Sequence, residues 1–162
     1  MKSTGEAIGY DKKLHRAMYK AMIASGIRVQ NYGTVIVTLA DEDKEEAVPL
    51  IRRFYDMGFN IEATSSTAET LKHHGIRTKV LRKPSEGSRE ILDAISAGYV
   101  SYVINTRAIL SGIHYEDGAA IRSAASQNHV TMFTSLDTVR VLLDVLEEIT
   151  IGVSAITEEE KI

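Results

Sequence analysis

The sequence has no cysteine and no tryptophan, only two prolines, and 6% aromatic residues in a chain of 162. Without cysteine the chain forms neither disulfides nor thiolate metal sites, and a cytoplasmic origin is the natural expectation. No apolar run approaches the roughly 20 residues of a membrane helix. The first ten residues are polar and lack the apolar centre of a signal peptide. These absences predict an ordinary soluble globular protein.

Several other function classes are disfavoured by what is missing. The formal net charge is −3 at pH 7, and no basic segment is interleaved with aromatic residues, so nucleic-acid binding is not expected. No set of Asp, Glu or His residues has metal-ligand spacing. The sequence also contains no Walker loop, no Gly-x-Gly-x-x-Gly and no Gly-x-Ser-x-Gly elbow. At 44% apolar and 25% charged residues, the composition suits one domain with a normal core.

From residue 34 onward, short β-branched apolar runs alternate with amphipathic stretches. Strands are predicted at 34–39, 59–63, 77–81, 99–104 and 130–133, and helices at 10–25, 41–57, 68–74, 88–97, 116–128 and 135–149. Pro49 is predicted to introduce a local kink, and residues 150–162 are expected to fray. Strands that alternate with helices predict right-handed crossovers. The fold class is therefore α/β, a three-layer, Rossmann-type arrangement of a five-stranded parallel sheet flanked by helices. The strand order does not follow from the pattern.

Hydroxyl, amide and cationic side chains follow the predicted strands, where parallel sheets place their ligands. These residues are Thr38, Lys44, the turn Thr64-Ser-Ser-Thr67, Arg82, Lys83, Asn105, Thr106, Arg107, Thr134 and Ser135. Hydroxyl and ammonium groups bind phosphate through hydrogen bonds that charge strengthens. A helix that begins at Thr67 or Ala68 would add its positive amino end. The rim therefore predicts a phosphate site.

Each of these features also has a simpler interpretation. The turn from Thr64 to Thr67 is explained equally well as a helix N-cap, because Ser and Thr are the usual capping residues. Each lysine taken alone is explained as a solvated surface charge. Only the convergence of Lys44, Lys83 and Asn105 on one rim favours a binding site.

A combination of segments spread along the chain carries a resemblance to a known family. These segments are Thr34-Val-Ile-Val-Thr-Leu39, Asp43-Lys44, Gly58-Phe-Asn-Ile-Glu-Ala-Thr-Ser-Ser-Thr-Ala68, Gly75-Ile76, Glu86-Gly87, Tyr102-Val-Ile-Asn-Thr106, Ile121-Arg-Ser-Ala-Ala125 and Phe133-Thr-Ser-Leu136. Together they resemble the methylglyoxal synthase-like domain, and more closely the C-terminal allosteric domain of the carbamoyl phosphate synthetase large chain. Residues 1–9 are similar to the end of that enzyme's second synthetase unit. The expected organisation is a remnant of that unit with a linker helix at 1–30, the allosteric domain at 31–150 and a C-terminal tail at 151–162.

The resemblance implies a regulatory role in an enzyme that makes carbamoyl phosphate from bicarbonate, glutamine-derived ammonia and ATP, with Mg or Mn, for pyrimidine and arginine synthesis. This chain would hold no catalytic residue and no cofactor of its own. Its ligands would be UMP, IMP and, near the junction with the synthetase unit, ornithine. Its partners would be the rest of the large chain and the glutaminase small chain, with neither nucleic acid nor membrane among them. A homo-oligomer is compatible with the sequence.

The resemblance also assigns roles to individual residues. It places the nucleotide phosphate on Lys44, Thr64, Thr67, Lys83 and Asn105, with Thr38, Thr106 and Arg107 around them, and it gives Thr134 an ornithine contact. Three positions depart from the family pattern. Arg107 and Ser66 stand where a threonine and a glycine are expected. Met132 stands where the ornithine site has an aromatic residue.

Two other functions remain open at this stage. Methylglyoxal synthase, a lyase that acts on dihydroxyacetone phosphate, shares the fold and needs a carboxylate base beside its phosphate site. In that enzyme an Asp follows a Gly-Gly pair after the third strand, whereas the run here is Glu86-Gly87-Ser88. Serine without an adjacent base is a poor proton acceptor. The other alternative is a structural or oligomerisation module with a vacant rim.

Overall fold

The structure is a computed structural model that describes residues 11–106 and 113–159. The strands are β1 (Thr34–Thr38), β2 (Asn60–Thr64), β3 (Thr78–Leu81), β4 (Val100–Asn105) and β5 (Thr131–Phe133). The helices are α1 (Asp11–Ala24), α2 (Lys44–Asp56), α3 (Ser65–His73), α4 (Glu90–Ser96), α5 (Ile113–Gln127) and α6 (Leu136–Glu159). The predicted alternation of strands and helices is confirmed.

The five strands form one parallel sheet in the order β3-β2-β1-β4-β5. The chain first moves from β1 towards β3, then crosses back to β4 on the other side of β1. In the sheet Thr38 at the end of β1 is level with Asn105 at the end of β4. Thr64 at the end of β2 is likewise level with Leu81 of β3. The carboxyl ends of four strands therefore meet at one edge of the sheet.

Helices cover both faces of this sheet, which gives the expected three layers. Val35 and Val37 of β1 belong to the larger core cluster, to which α1, α2, α3 and α6 contribute buried residues. Ile36 points to the opposite face and packs with residues of α4 and α5. Because β1 is buried on both faces, its sequence is a continuous apolar run rather than an alternating one.

Four helix boundaries differ from the predictions by three or more residues: the starts of α2, α3 and α5 and the end of α6. Helix α2 begins at Lys44 and continues through Pro49 to Asp56. Helix α3 begins at Ser65, three residues before the start of the helix predicted at 68–74. Helix α6 extends to Glu159, so the expectation that residues 150–162 fray is wrong for residues 150–159. The sequence continues the apolar spacing of α6 through Ile149, Val153 and Ile156 without a proline, which explains the extension.

The segment between α1 and β1 is tied to β4. The backbone N–H of Gln30 donates to the Tyr102 hydroxyl at 2.7 Å, and that hydroxyl donates to the Gln30 carbonyl at 3.0 Å. One residue earlier in β4, the Ser101 hydroxyl donates to the Tyr32 carbonyl at 2.7 Å. These bonds hold the segment against the sheet, and Met22 of α1 is buried in the larger core cluster.

Within residues 11–106 and 113–159, no helix is both long enough and apolar enough to cross a membrane. The same residues contain no group of three or more His, Asp or Glu side chains positioned to hold a metal ion.

Candidate functional site

A recess opens at the carboxyl edge of the sheet. Thr38, Thr64 and Asn105 contribute to its wall from the ends of β1, β2 and β4, and Lys83 contributes from the turn after β3. The far wall comes from α5, through Asp117, Gly118 and Ile121. The recess encloses about 270 Å³, counting the part open to solvent.

Two buried polar groups in the recess have no partner among the described residues. Thr64 is 1% exposed, and its hydroxyl makes no hydrogen bond with any described residue. Asn105 Oδ1 is equally unpaired within the described part of the chain. A buried polar group left without a partner costs about 1–3 kcal/mol. Both groups would gain from a ligand that brings oxygens for the Thr64 hydroxyl and a hydrogen-bond donor for Asn105 Oδ1.

Thr64 occupies the N-cap position of α3, yet its side chain makes no cap hydrogen bond. The N-cap explanation of this turn therefore does not account for the Thr64 hydroxyl. The first N–H groups of a helix lack partners within the helix, and the amino end carries a partial positive charge. The amino end of α3 thus brings backbone donors and positive potential to the recess.

Two other threonines from the predicted set fix the loop after β1. The Thr67 hydroxyl accepts a hydrogen bond from the Leu39 backbone N–H at 3.1 Å. The Thr106 hydroxyl accepts one from the Ala40 backbone N–H at 2.9 Å. Both threonines are buried, and neither lines the recess. They hold the chain where it leaves β1, which positions Thr38 at the bottom of the recess.

Lys44 lies at the start of α2 and reaches across to the first turn of α3. Its ammonium donates to the Ser66 hydroxyl at 2.6 Å and pairs with the Asp41 carboxylate at 2.7 Å. Ser66 is the residue that stands where the family often has glycine, and its hydroxyl gives the Lys44 ammonium a partner. Lys44 therefore adds positive charge beside the amino end of α3 without forming part of the recess wall.

Lys83 begins the turn that connects β3 to α4. Its backbone N–H donates to the Glu86 carboxylate at 2.6 Å, and its side chain lines the recess. Across residues 11–106 and 113–159, no carboxylate forms an ion pair with the Lys83 ammonium. This cation is therefore available for an anionic ligand.

Asp117 was not identified from the sequence, because only residues directly after strands were considered. Its two carboxylate oxygens accept hydrogen bonds from the Ser85 N–H and the Ser85 hydroxyl, both at 2.7 Å. This pair of bonds ties the turn after Lys83 to α5. It fixes the position of Lys83, and it also puts a negative charge in the wall of the recess.

The fold agrees with comparisons to known proteins. A family model described as the MGS-like domain matches residues 46–134, which is more than half of the chain. The chain belongs to the MGS-like domain family. It is also similar in structure to the methylglyoxal synthase from Elizabethkingia anophelis NUHP1, with a TM-score of 0.55 and 16% sequence identity. That likeness covers 71% of this chain and 79% of the other, and it confirms the fold class.

Thr134, which was also predicted for the site of this MGS-like domain, does not line the recess. Thr134 follows β5 at the edge of the sheet and is only half-buried, as is Met132 within β5. Arg107 lies outside the described residues. The recess wall of the MGS-like domain thus contains four of the predicted side chains, those of Thr38, Thr64, Lys83 and Asn105.

The carboxylates near Ser88 make local contacts in this MGS-like domain. Ser88 itself accepts a hydrogen bond from the Glu90 N–H at 3.1 Å. Glu90 accepts hydrogen bonds from the backbone and the guanidinium of Arg82 at 2.8 and 2.9 Å. These bonds lower the pKa of Glu90 and hold its carboxylate against Arg82. Glu86 accepts from the Lys83 N–H. The carboxylate that does line the recess is Asp117.

Proposed function

We propose that this MGS-like domain is the regulatory domain of a carbamoyl phosphate synthetase large chain and binds the phosphate of UMP or IMP in the recess. The observation that carries the proposal is the buried, unpaired hydroxyl of Thr64 at the amino end of α3. A phosphate oxygen there would satisfy this hydroxyl and would lie beside the ammonium of Lys83. Asn105 Oδ1 lacks a hydrogen-bond donor among the described residues, and the hydroxyl groups of a nucleotide would supply one.

The proposed effect on the parent enzyme is thermodynamic linkage. A nucleotide that binds one conformation of the large chain better than another shifts the population towards that conformation. Coupling of this kind is typically about 1–3 kcal/mol. Catalysis, ATP and its metal ions would belong to the synthetase units and the glutaminase partner. An ornithine response would require those upstream units as well, because Thr134 supplies only one contact.

The test is thermal unfolding of this chain with UMP and IMP, with uridine and inosine as phosphate-free controls. A ligand at about 100 times its Kd stabilises a protein by about 2.7 kcal/mol, which corresponds to a shift of several degrees. We expect UMP or IMP to shift Tm with concentration and the nucleosides to have little effect. In Lys83→Ala the affinity should fall by about tenfold or more. Lys72→Ala removes an exposed lysine from the end of α3 and should bind as the native chain does.

The alternative, a methylglyoxal synthase-type lyase, requires a base within reach of the bound triose phosphate. Asp117 is the carboxylate in the recess wall, and both of its oxygens already accept hydrogen bonds from Ser85. Incubation with dihydroxyacetone phosphate should therefore release neither methylglyoxal nor inorganic phosphate above the spontaneous rate. Release that Asp117→Asn abolishes would establish the lyase and contradict the regulatory proposal.

A further inference from the structure

A second groove lies at the opposite, amino edge of the sheet, and we refer to it as the amino-end groove. Its polar wall consists of Asn60, Glu62, Arg77, Lys79 and Tyr99. It encloses about 1,040 Å³, counting the part open to solvent. Helix α4 has seven residues and is therefore about 10 Å long. The smaller core cluster, beneath α4 and α5, contains no residue of β2. On this side of β2, Asn60 and Glu62 are polar and line the groove instead.

Glu62 is the central group of the amino-end groove. It lies in the middle of β2, between Ile36 of β1 and Lys79 of β3 in the sheet register. Although it is charged, Glu62 is only 4% exposed. One carboxylate oxygen is 3.4 Å from the Lys79 ammonium. The other, Oε2, is buried and has no hydrogen-bond partner in the part of the chain that the structure describes.

A buried carboxylate oxygen without a partner is costly. Folding has already removed water from Glu62 Oε2, so a donor that reaches this oxygen does not have to displace water from it. The resulting hydrogen bond is therefore stronger than one to a solvated carboxylate. An ammonium group fits this requirement, because hydrogen bonds between ionised groups are the strong ones. Glu62 thus selects for a cationic nitrogen.

The other charged residues of the groove favour an acidic group on the same ligand. Arg77 is exposed, and the side chain of Lys79 is 69% exposed. With Glu62, these two residues give the wall one more positive than negative charge, which would repel a ligand that carries only a cation. Tyr99 lies close to Glu62, since burial first, then the charge of that carboxylate and a weaker hydrogen bond with it, raise the pKa of Tyr99. Its half-exposed ring supplies an apolar side for the carbon chain of a ligand.

We propose that the amino-end groove binds a small zwitterion of the amino acid class. Its ammonium group donates to Glu62 Oε2, and its acidic group lies against Arg77 and Lys79. This site is independent of the phosphate recess, which lies at the other ends of the same strands. The two sites are nevertheless connected through β2, because Glu62 and Thr64 are two residues apart on the same face.

The experiment is a titration of the full chain with 6-aminohexanoate, followed by two-dimensional NMR of the backbone amides. This flexible probe carries an amine and a carboxylate, and hexylamine and hexanoate carry one of the two charges each. We expect signals of β2, β3 and Tyr99 to move with 6-aminohexanoate, with an affinity at least about tenfold higher than for either single-charge probe. The recess residues Lys83 and Asn105 should not sense the probe directly.

Glu62→Gln keeps the shape of the side chain and removes its charge, so it should weaken 6-aminohexanoate binding by about tenfold or more. Glu69→Gln, an exposed position on α3, is the matched control and should bind normally. If Glu62→Gln does not fold, Arg77→Met tests the same site from an exposed position and should abolish the preference for the zwitterion over hexylamine. Equal affinity for all three probes, or native affinity in Glu62→Gln, would overturn the proposal. So would a native spectrum that stays unchanged up to the solubility of 6-aminohexanoate.

Discussion

Neighbouring threonines in the turn before α3 have different roles. Thr64 is buried and lines the recess, and its hydroxyl is unpaired within the described part of the chain. Thr67, which is 0% exposed, has a hydroxyl that accepts a hydrogen bond from the Leu39 N–H. The unpaired Thr64 hydroxyl lowers the stability of the ligand-free protein, whereas the paired Thr67 hydroxyl raises it. The resemblance had assigned both residues to the phosphate, and Thr67 has this structural hydrogen bond as well.

We predict that Thr64→Val and Thr67→Val have opposite effects on stability. Valine has nearly the same shape as threonine without the hydroxyl. Thr64→Val removes an unpaired polar group, so the free energy of unfolding should stay unchanged or rise, while UMP or IMP affinity falls. Thr67→Val leaves the Leu39 N–H buried and unpaired, which should cost about 1–3 kcal/mol. Urea unfolding and nucleotide titration of both variants check this, and a destabilised Thr64→Val would show that its hydroxyl has a structural partner.

For individual residues, the sequence predicted part of the candidate site. Residues directly after strands are identifiable because parallel strands end at a common edge, and this rule found Thr38, Thr64, Lys83 and Asn105. It could not find Asp117, since that residue lines the recess from the first turns of α5 rather than from the end of a strand. Its position depends on how α5 packs over the sheet, which no local pattern encodes.

At the scale of elements, β4 has a connecting role besides its place in the sheet. Tyr102 is buried among the aromatic rings of Phe54, Phe59 and Phe133. Its hydroxyl binds both backbone groups of Gln30 in the segment that follows α1. Burial raises the pKa of Tyr102 to about 12 from 10.0. The neutral hydroxyl is therefore the form that the fold requires.

We predict that Tyr102→Phe changes the pH dependence of stability. The pKa of Tyr102 is higher in the folded than in the unfolded chain, so its contribution is complete below pH 10 and is lost as the pH rises to about 12. The stability advantage of the native chain over Tyr102→Phe should decline by about 2–3 kcal/mol across this window, at 1.36 kcal/mol per pKa unit. Below pH 10, Tyr102→Phe should be less stable by about 1–3 kcal/mol because the Gln30 backbone groups lose their partner.

Urea unfolding between pH 8 and pH 12 measures this difference. Tyr102→Leu serves as a second variant, because it lowers stability further through a cavity but removes the same ionisable group. Its difference from the native chain should therefore decline over the same pH window. A constant difference between the native chain and both variants would mean that the Tyr102 hydroxyl ionises equally easily in the folded and unfolded chain.

The type and sequence of elements were predictable, and several of their ends were not. β-Branched runs predict strands because such side chains suit a pleated sheet, and all five strands lie within two residues of their predicted bounds. The start of α3 was misplaced because Ser65 and Ser66, which the sequence suggested as cap residues, are helical instead. The end of α6 was misplaced because residues 150–162 were predicted to fray, whereas the helix continues to Glu159.

At the scale of the whole molecule, the strand order decides which side chains meet. With β1 between β2 and β4, Thr38, Thr64 and Asn105 become neighbours, although 67 positions separate the first from the last along the chain. The strand order depends on which face of the sheet each connecting helix covers. Every such arrangement has the same apolar periodicity along the sequence, so periodicity does not distinguish them. The sequence therefore predicted a parallel sheet with a rim of binding residues, but not their arrangement around one recess.

The packing of α1 in the whole molecule bears on the domain boundary expected near residue 30. If α1 were only a linker, the domain would not depend on it. In the structure α1 packs against α6, Met22 is 7% exposed, and Met18 lies against the same core cluster. Full burial of one Met side chain contributes about 1.5–3 kcal/mol. Helix α1 therefore adds buried apolar surface to this core cluster.

We predict that a chain that begins at Gly26 is less stable than the full chain by about 2–3 kcal/mol and still binds UMP or IMP, because the recess contains no residue of α1. Guanidinium unfolding and nucleotide titration of both chains measure the two effects. Met22→Ala in the full chain is the matched control, and it should reproduce most of the loss, since truncation of a buried Met to Ala costs about 2–5 kcal/mol. Equal stability of the short and full chains would place the boundary after α1, where the sequence predicted it, and would make this helix a connector between domains.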